Sequence, residues 1–174
     1  MEKHKQHMSI AIAMAKRGET EQGIPIGAVL VRDEQVIGRG RNRRMQQRNP
    51  ILHAEIDCLQ NAGRIDDYSD TVLYTTLMPC HMCAGAIVQF KIPVVVVGES
   101  RTFKGAKKFL KKNGVKVIDL DDNFCKTMMD LFISVNKRIW NEDIGTPLTK
   151  KEKSFSKIVT EVMNEYGKPN WRNT

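Results

Sequence analysis

Two short stretches carry residue types that can hold a metal and move protons. In "HAEIDCLQ" (53–60) His53 stands two residues before Glu55 at the start of an apolar-periodic segment, and "PCHMC" (79–83) sets Cys80 and Cys83 behind Pro79. One imidazole and two thiolates are the three protein ligands that a chemically active zinc takes while its fourth position is left to water. The C-x-x-C spacing lets two sulfurs converge on one ion from a single helix start, whose exposed N–H groups stabilise thiolate charge. Glu55 can lie beside that ion without ligating it. A carboxylate there can take a proton from an activated water and hand it to a leaving group. Pro79 suits the first turn of a helix, where its missing N–H is no loss.

The remaining candidates read more plainly. His81 sits between the cysteines, where a helix directs it away from them, so a closed four-ligand site is disfavoured. His4 and His7 are expected on the surface of the first helix, and Cys58 and Cys125 on apolar helix faces in the core. Four scattered cysteines are too few to staple 174 residues, and a C-x-x-C pair in a reducing compartment is more often a metal or redox site than a disulfide.

The elements that must position these residues follow from pattern. Residues 2–17 read as a helix ended by Gly18. "IGAVLVRDEQVIGRG" reads as a hairpin turning at Asp33–Glu34. A helix starts at 53, "TVLYTTL" (71–77) is a β-branched strand, and "CHMCAGAIVQF" is helical by its three- and four-residue spacings. "VVVVG" (94–98) is the continuous apolar run of a strand buried on both faces. A helix near 104–112, a strand at 115–120 and a helix near 122–138 complete the series. A hairpin followed by alternating strands and helices implies a three-layer α/β/α domain around a mixed five-stranded sheet.

One domain over 1–145 is expected, with a C-terminal extension over 146–174. In that extension Phe155, Ile158, Val159, Val162, Met163 and Tyr166 form one apolar stripe, predicting an amphipathic helix over 149–166 packed on the domain or on a partner subunit. Hydrophobic content of 41% and charged content of 28% are those of a globular protein, and no run approaches a membrane span. The first ten residues lack the apolar core of a secretory signal, so a cytoplasmic protein is expected. The net charge of +8, with basic clusters at 39–48 and 104–112, leaves nucleic acid possible but not favoured, since charge runs mostly serve as solvated faces.

H-x-E followed by P-C-x-x-C is the order found in zinc-dependent nucleobase deaminases. With "GIPIGAVL", "GRGRN", "HAEIDCLQNAGRI", "LYTTLMPCHMCAGAIVQFKIP", "FKGAKKFL" and "WNEDIG", residues 5–145 resemble the cytidine deaminase-like superfamily, and within it the fungal-type cytosine deaminases. The resemblance implies a homodimer with one zinc ion per subunit, held by His53, Cys80 and Cys83. It implies hydrolytic deamination of cytosine to uracil and ammonia, with 5-fluorocytosine a plausible second substrate. Water activated by zinc would attack C4 while Glu55 shuttles protons. Asn42 and the backbone of Ala54 would meet the base, Phe103 and Trp140 would wall the pocket, and Asp143 would accept from the exocyclic amino group. The side-chain chemistry agrees, because an amide reads a ring edge, aromatics stack on a planar base, and a carboxylate selects an amino group.

Three positions depart from the fungal pattern. Ala54 makes "HAE", the form of tRNA adenosine deaminases and bacterial guanine deaminases, where the fungal enzymes have "HGE". Met78 replaces a small polar residue, and Asn141 an aromatic one. Adenosine in a tRNA anticodon loop and guanine therefore stand as alternative substrates.

Overall fold

A computed structural model describes residues 2–147 together with 149, 154, 158 and 161. The chain divides into two compact units, Met1–Val135 and Asn136–Thr174.

In the first unit α1 (Glu2–Thr20) precedes a hairpin of β1 (Gly27–Arg32) and β2 (Gln35–Arg41). Asp33 and Glu34 both take positive φ, 47° and 66°, the twist a two-residue hairpin turn requires. A short α2 (Arg44–Gln47) leads to α3 (Ala54–Ala62), β3 (Thr71–Leu77), α4 (His81–Gln89), β4 (Val94–Glu99), α5 (Lys107–Lys112) and β5 (Lys116–Asp119), after which α6 runs from Asn123. The sheet order is β2-β1-β3-β4-β5, antiparallel from β2 to β3 and parallel from β3 to β5. The mixed five-stranded sheet expected from the sequence is present.

The strands' period of two sorts their side chains between the layers. Val29, Tyr74 and Val96 face Met8 and Ala11 of α1 and Cys125 of α6. Thr75, of the opposite parity, faces Glu55 of α3. Val95, Val96 and Val97 are fully buried, as a strand covered on both faces must be. Cys58 and Cys125 are core residues.

Three local expectations change. α1 continues through Gly18 to Thr20, because the helix runs on to the turn where Gly23 N–H bonds the Gly18 carbonyl at 2.8 Å. α2 was not anticipated; its four residues are too few to show a period. His7 is buried, not on the surface: its ring centroid lies 5.1 Å from that of Tyr74, whose hydroxyl is 2.9 Å from His4 Nδ1. The first helix therefore turns both histidines toward the sheet.

The second unit begins where α6 (Asn123–Asp143) breaks, at Asn136 with φ −124° and ψ 34°. Its helical segment ends with Ile144, Gly145 and Thr146 donating to the carbonyls of Trp140, Glu142 and Asn141, and Gly145 adopts φ +66°. A left-handed glycine of this kind is a common helix stop. The helix expected over 149–166 lies largely outside the described residues; of it, Ser154, Ile158 and Glu161 are helical and exposed. No helix among the described residues is long and apolar enough to cross a membrane.

Candidate active site

Two helix starts meet beside β3. His53 is the N-cap of α3 at φ −69°, ψ 165°, and Cys80 is the N-cap of α4 at φ −70°, ψ 174°. Neither spends its side chain on capping its own helix. The imidazole nitrogen of His53 and the sulfurs of Cys80 and Cys83 lie within 4.8 Å of one another, with Cys80 Sγ 3.6 Å from His53 Nδ1. This is the group of donors that the H-x-E and C-x-x-C spacings predicted.

The electrostatics of the cluster suit a divalent cation. A hydrogen bond from the Cys83 thiol, aided by His53, holds Cys80 down to about 4 despite burial, so Cys80 is a thiolate at neutral pH. Cys83 is pushed up because its thiol is the partner that donates to Cys80, and because it is buried. One thiolate, a second thiol beside it and an imidazole form a donor set that zinc binds with displacement of the remaining thiol proton. The fit is good.

Glu55, 4% exposed, is pushed up to about 7, first by burial and then by the negative charge of Cys80. A carboxyl group so placed exchanges a proton near neutrality. Sequence reasoning missed its neighbour Thr75, fully buried on β3. The Thr75 hydroxyl has one hydrogen for two acceptors in reach, the Leu77 carbonyl at 3.1 Å and Glu55 Oε1 at 3.4 Å. A threonine in "LYTTL" carries no signal of this, since alternation alone does not say which helix lies over it.

Gly105 at φ +45° closes onto the loop that precedes Cys80: a Cβ there would sit 2.4 Å from the Pro79 carbonyl oxygen. That carbonyl accepts the Ala106 N–H at 2.8 Å, and Met78, fully buried, donates its N–H to the Glu99 carbonyl at 3.0 Å. The Glu99 carboxylate is itself buried and accepts the N–H groups of Arg101 and Thr102, at 2.6 and 3.0 Å, at the head of the loop that carries Phe103. An acidic residue closing "VVVVGE" was the one sign of that anchor in the sequence.

Of the other candidates, Asn42 is fully buried after β2, its Oδ1 accepting the Arg44 N–H at 3.2 Å, and Ala54 is fully buried in the first turn of α3. Phe103 is half-buried in the β4–α5 loop. Trp140, buried, and Asp143, half-buried, stand in the last turns of α6, within the second unit.

Residues 1–99 match the family described as the cytidine and deoxycytidylate deaminase zinc-binding region. The chain belongs to this family. The deaminase is 44% identical to a Candida albicans cytosine deaminase over 144 residues, 81% of this chain and 96% of that one. It is 46% identical over 110 residues to a Buchnera aphidicola tRNA-specific adenosine deaminase, 60% of this chain and 72% of that one. A structure from studies of A-to-I editing by tRNA:A34 deaminases superposes with a TM-score of 0.63 at 28% identity, over 71% of this chain and 99% of that one. The chain is a hydrolytic deaminase of the α/β-sandwich fold that the sequence predicted, close to the fungal cytosine deaminases.

Proposed function

We propose that the enzyme deaminates a free nucleobase, cytosine first, to uracil and ammonia. The observation that carries this reading is the match to a cytosine deaminase along nearly that protein's whole length, at 44% identity. His53, Cys80 and Cys83 would hold the zinc ion, which would supply a nucleophile from water at neutral pH. Glu55 receives the proton that water gives up, delivers it to N3 of the ring, and then serves the amine that leaves C4. The C4–O bond forms first, as N3 is protonated; the hydroxyl proton at C4 then passes through Glu55 to the amine, and the C4–N bond breaks as the C4 carbonyl forms, releasing ammonia. Burial of Glu55 keeps bulk water from competing for these protons. Asn42 fits the reading because an amide side chain both donates to and accepts from a ring edge. Phe103, Trp140 and Asp143 complete the reading as ring walls and acceptor for the amino group. One zinc per subunit and a homodimer belong to it as well. Exposed Met82 on α4 and Phe90 at its C-cap, with Met45 and Ile51, support the dimer.

A second reading, adenosine in a tRNA anticodon loop, has one observation of its own. A groove of about 580 Å³ beside the metal loop is lined by His81, Lys104, Lys107, Lys108, Phe109 and Lys111. Lysines and an aromatic ring together suit a nucleic-acid strand.

The test is zinc-loaded enzyme offered cytosine, with uracil followed by ultraviolet absorbance, beside a tRNA anticodon stem-loop assayed for inosine. Cytosine turnover with an unchanged stem-loop is the expected result. Inosine without uracil would overturn the first reading in favour of the second.

A further inference from the structure

Asp57 is a fully buried carboxylate four residues beyond His53, and the proton transfers above make no use of it. Its two oxygens reach out of α3 to the residues on either side of Asn42. Oδ2 accepts the backbone N–H of Arg41 at 3.0 Å, and Oδ1 takes the Arg43 guanidinium at 3.3 Å. A charge buried this completely is tolerated because it is paired and hydrogen-bonded.

The rest of the loop is tied at the same height. Asn42 N–H donates to the Ile26 carbonyl and Arg43 N–H to the Leu52 carbonyl, both at 2.9 Å, and Leu52 directly precedes His53. The approach that brings these groups together depends on Gly40 at the end of β2. A Cβ there would stand 2.2 Å from the Cys58 nitrogen and 2.4 Å from the Ala54 carbonyl oxygen, both backbone atoms of α3. Glycine thus lets strand and helix touch, and Asp57 then grips the chain just beyond the contact.

We propose that Asp57 is a positioning residue that ties the Asn42 loop to the helix bearing His53 and Glu55, setting the distance between base recognition and proton transfer. This rests on the reading of Asn42 as a base contact. The one turn of α3 from His53 to Asp57 then carries a metal ligand, the proton carrier and the fastening of the specificity loop. A ligand pulling on Asn42 pulls on the same turn.

The experiment is a double-mutant cycle on the zinc-loaded full chain with Asp57→Asn, Asn42→Ala and the pair, measuring kcat and KM for cytosine separately. Asp57→Asn retains one acceptor for Arg41 but loses the ion pair. The expected result is a rise in KM of about tenfold, from a misplaced contact group, with zinc content and thermal midpoint close to wild type. In the Asn42→Ala background the same substitution should add nothing, since both act through one contact. Arg43→Met, which opens the clamp from the half-exposed side, should show the same signature in smaller measure and covers the case of an unfolded Asp57 variant. Additive effects in the cycle, or lost zinc and kcat at constant KM, would overturn the proposal by showing a purely structural role. Asn42→Ala without effect would overturn both it and the Asn42 reading. Wild-type turnover is measured first, so failure of the cytosine reading shows before any variant is made. The cycle then runs on stem-loop adenosine, where the same coupling is expected.

Discussion

The two helix starts that meet at the site share a backbone and differ in everything else. Both are N-capped by a candidate ligand in extended conformation with no side-chain cap bond. The first turn of α3 is buried, with Ala54, Glu55 and Asp57 all nine-tenths or more covered. That of α4 is open on one side: His81 and Met82 are exposed, while Cys83 and Ala84 are fully buried. The difference separates two roles. The α4 start contributes thiol charge, stabilised by the helix N–H groups whatever the solvent does outside. The α3 start contributes carboxyl groups, whose acidity and orientation depend on the absence of solvent.

The comparison breaks most completely where the two starts are joined. Cys83→Ser and His53→Ala each remove a donor, one from either helix. Partners one step removed from a metal already cost up to about a hundredfold in affinity, so removing a ligand costs more. Zinc content measured after dialysis should fall with turnover in both variants. A variant of either kind that kept its zinc would mean the three donors do not act together.

Glu55→Gln comes next and separates the roles. The amide keeps the volume and removes the titrating proton, so turnover should drop by about 10²- to 10⁴-fold while zinc stays bound. Loss of zinc together with activity would make Glu55 part of the donor set and erase the division between the helices.

Legibility in the sequence followed the same division. His53, Glu55, Cys80 and Cys83 could be read because each pair lies within one helical turn, where spacing alone dictates proximity. The strands were legible from the apolar hairpin around Asp33–Glu34, the β-branched run at 71–77 and the continuous apolar run at 94–98. Thr75 and Asp57 were not, because their partners lie 20 and 14 to 16 residues away and meet only once α3 is laid on the sheet. The break at Asn136 also escaped, since "FISVNKRIW" keeps its helical period straight through it. His7 was misjudged because a histidine among charged residues near a terminus reads as solvated; Tyr74, from a strand far along the chain, covers it.

A carboxylate outside the site sharpens the contrast in sign. Glu55, near thiolate charge, is pushed up; Asp119 on β5 is pulled down. Burial opposes this, but the Ser100 hydroxyl, the Lys107 ammonium at 2.9 Å and the Asp121 N–H outweigh it. A folded-state value below the unfolded one means the carboxylate's stabilisation is full above the ordinary aspartate range, about pH 4, and is lost as pH falls through the folded value. Lys107→Met should therefore lower the thermal midpoint at pH 7 by an amount worth up to about 1 kcal/mol, the ion pair being part-exposed. The difference from wild type should vanish in strong acid. A difference that persisted there would have to come from packing of the lysine stem.

The smallest expected effect tests the open side of α4. His81 is one residue from Cys80 along the chain, yet it is exposed, and its ring centroid lies 6.3 Å from that of Phe109. It stands outside the His53, Cys80 and Cys83 cluster. A histidine serving as a fourth ligand would close the metal and leave no position for the reacting water. His81→Ala should therefore leave zinc affinity, measured against a competing chelator, and cytosine turnover unchanged, with stability within about 0.5 kcal/mol of wild type. A large loss of zinc in this variant would mean that the exposed turn of α4 folds inward on the ion, and the contrast between a buried and an open helix start would no longer hold.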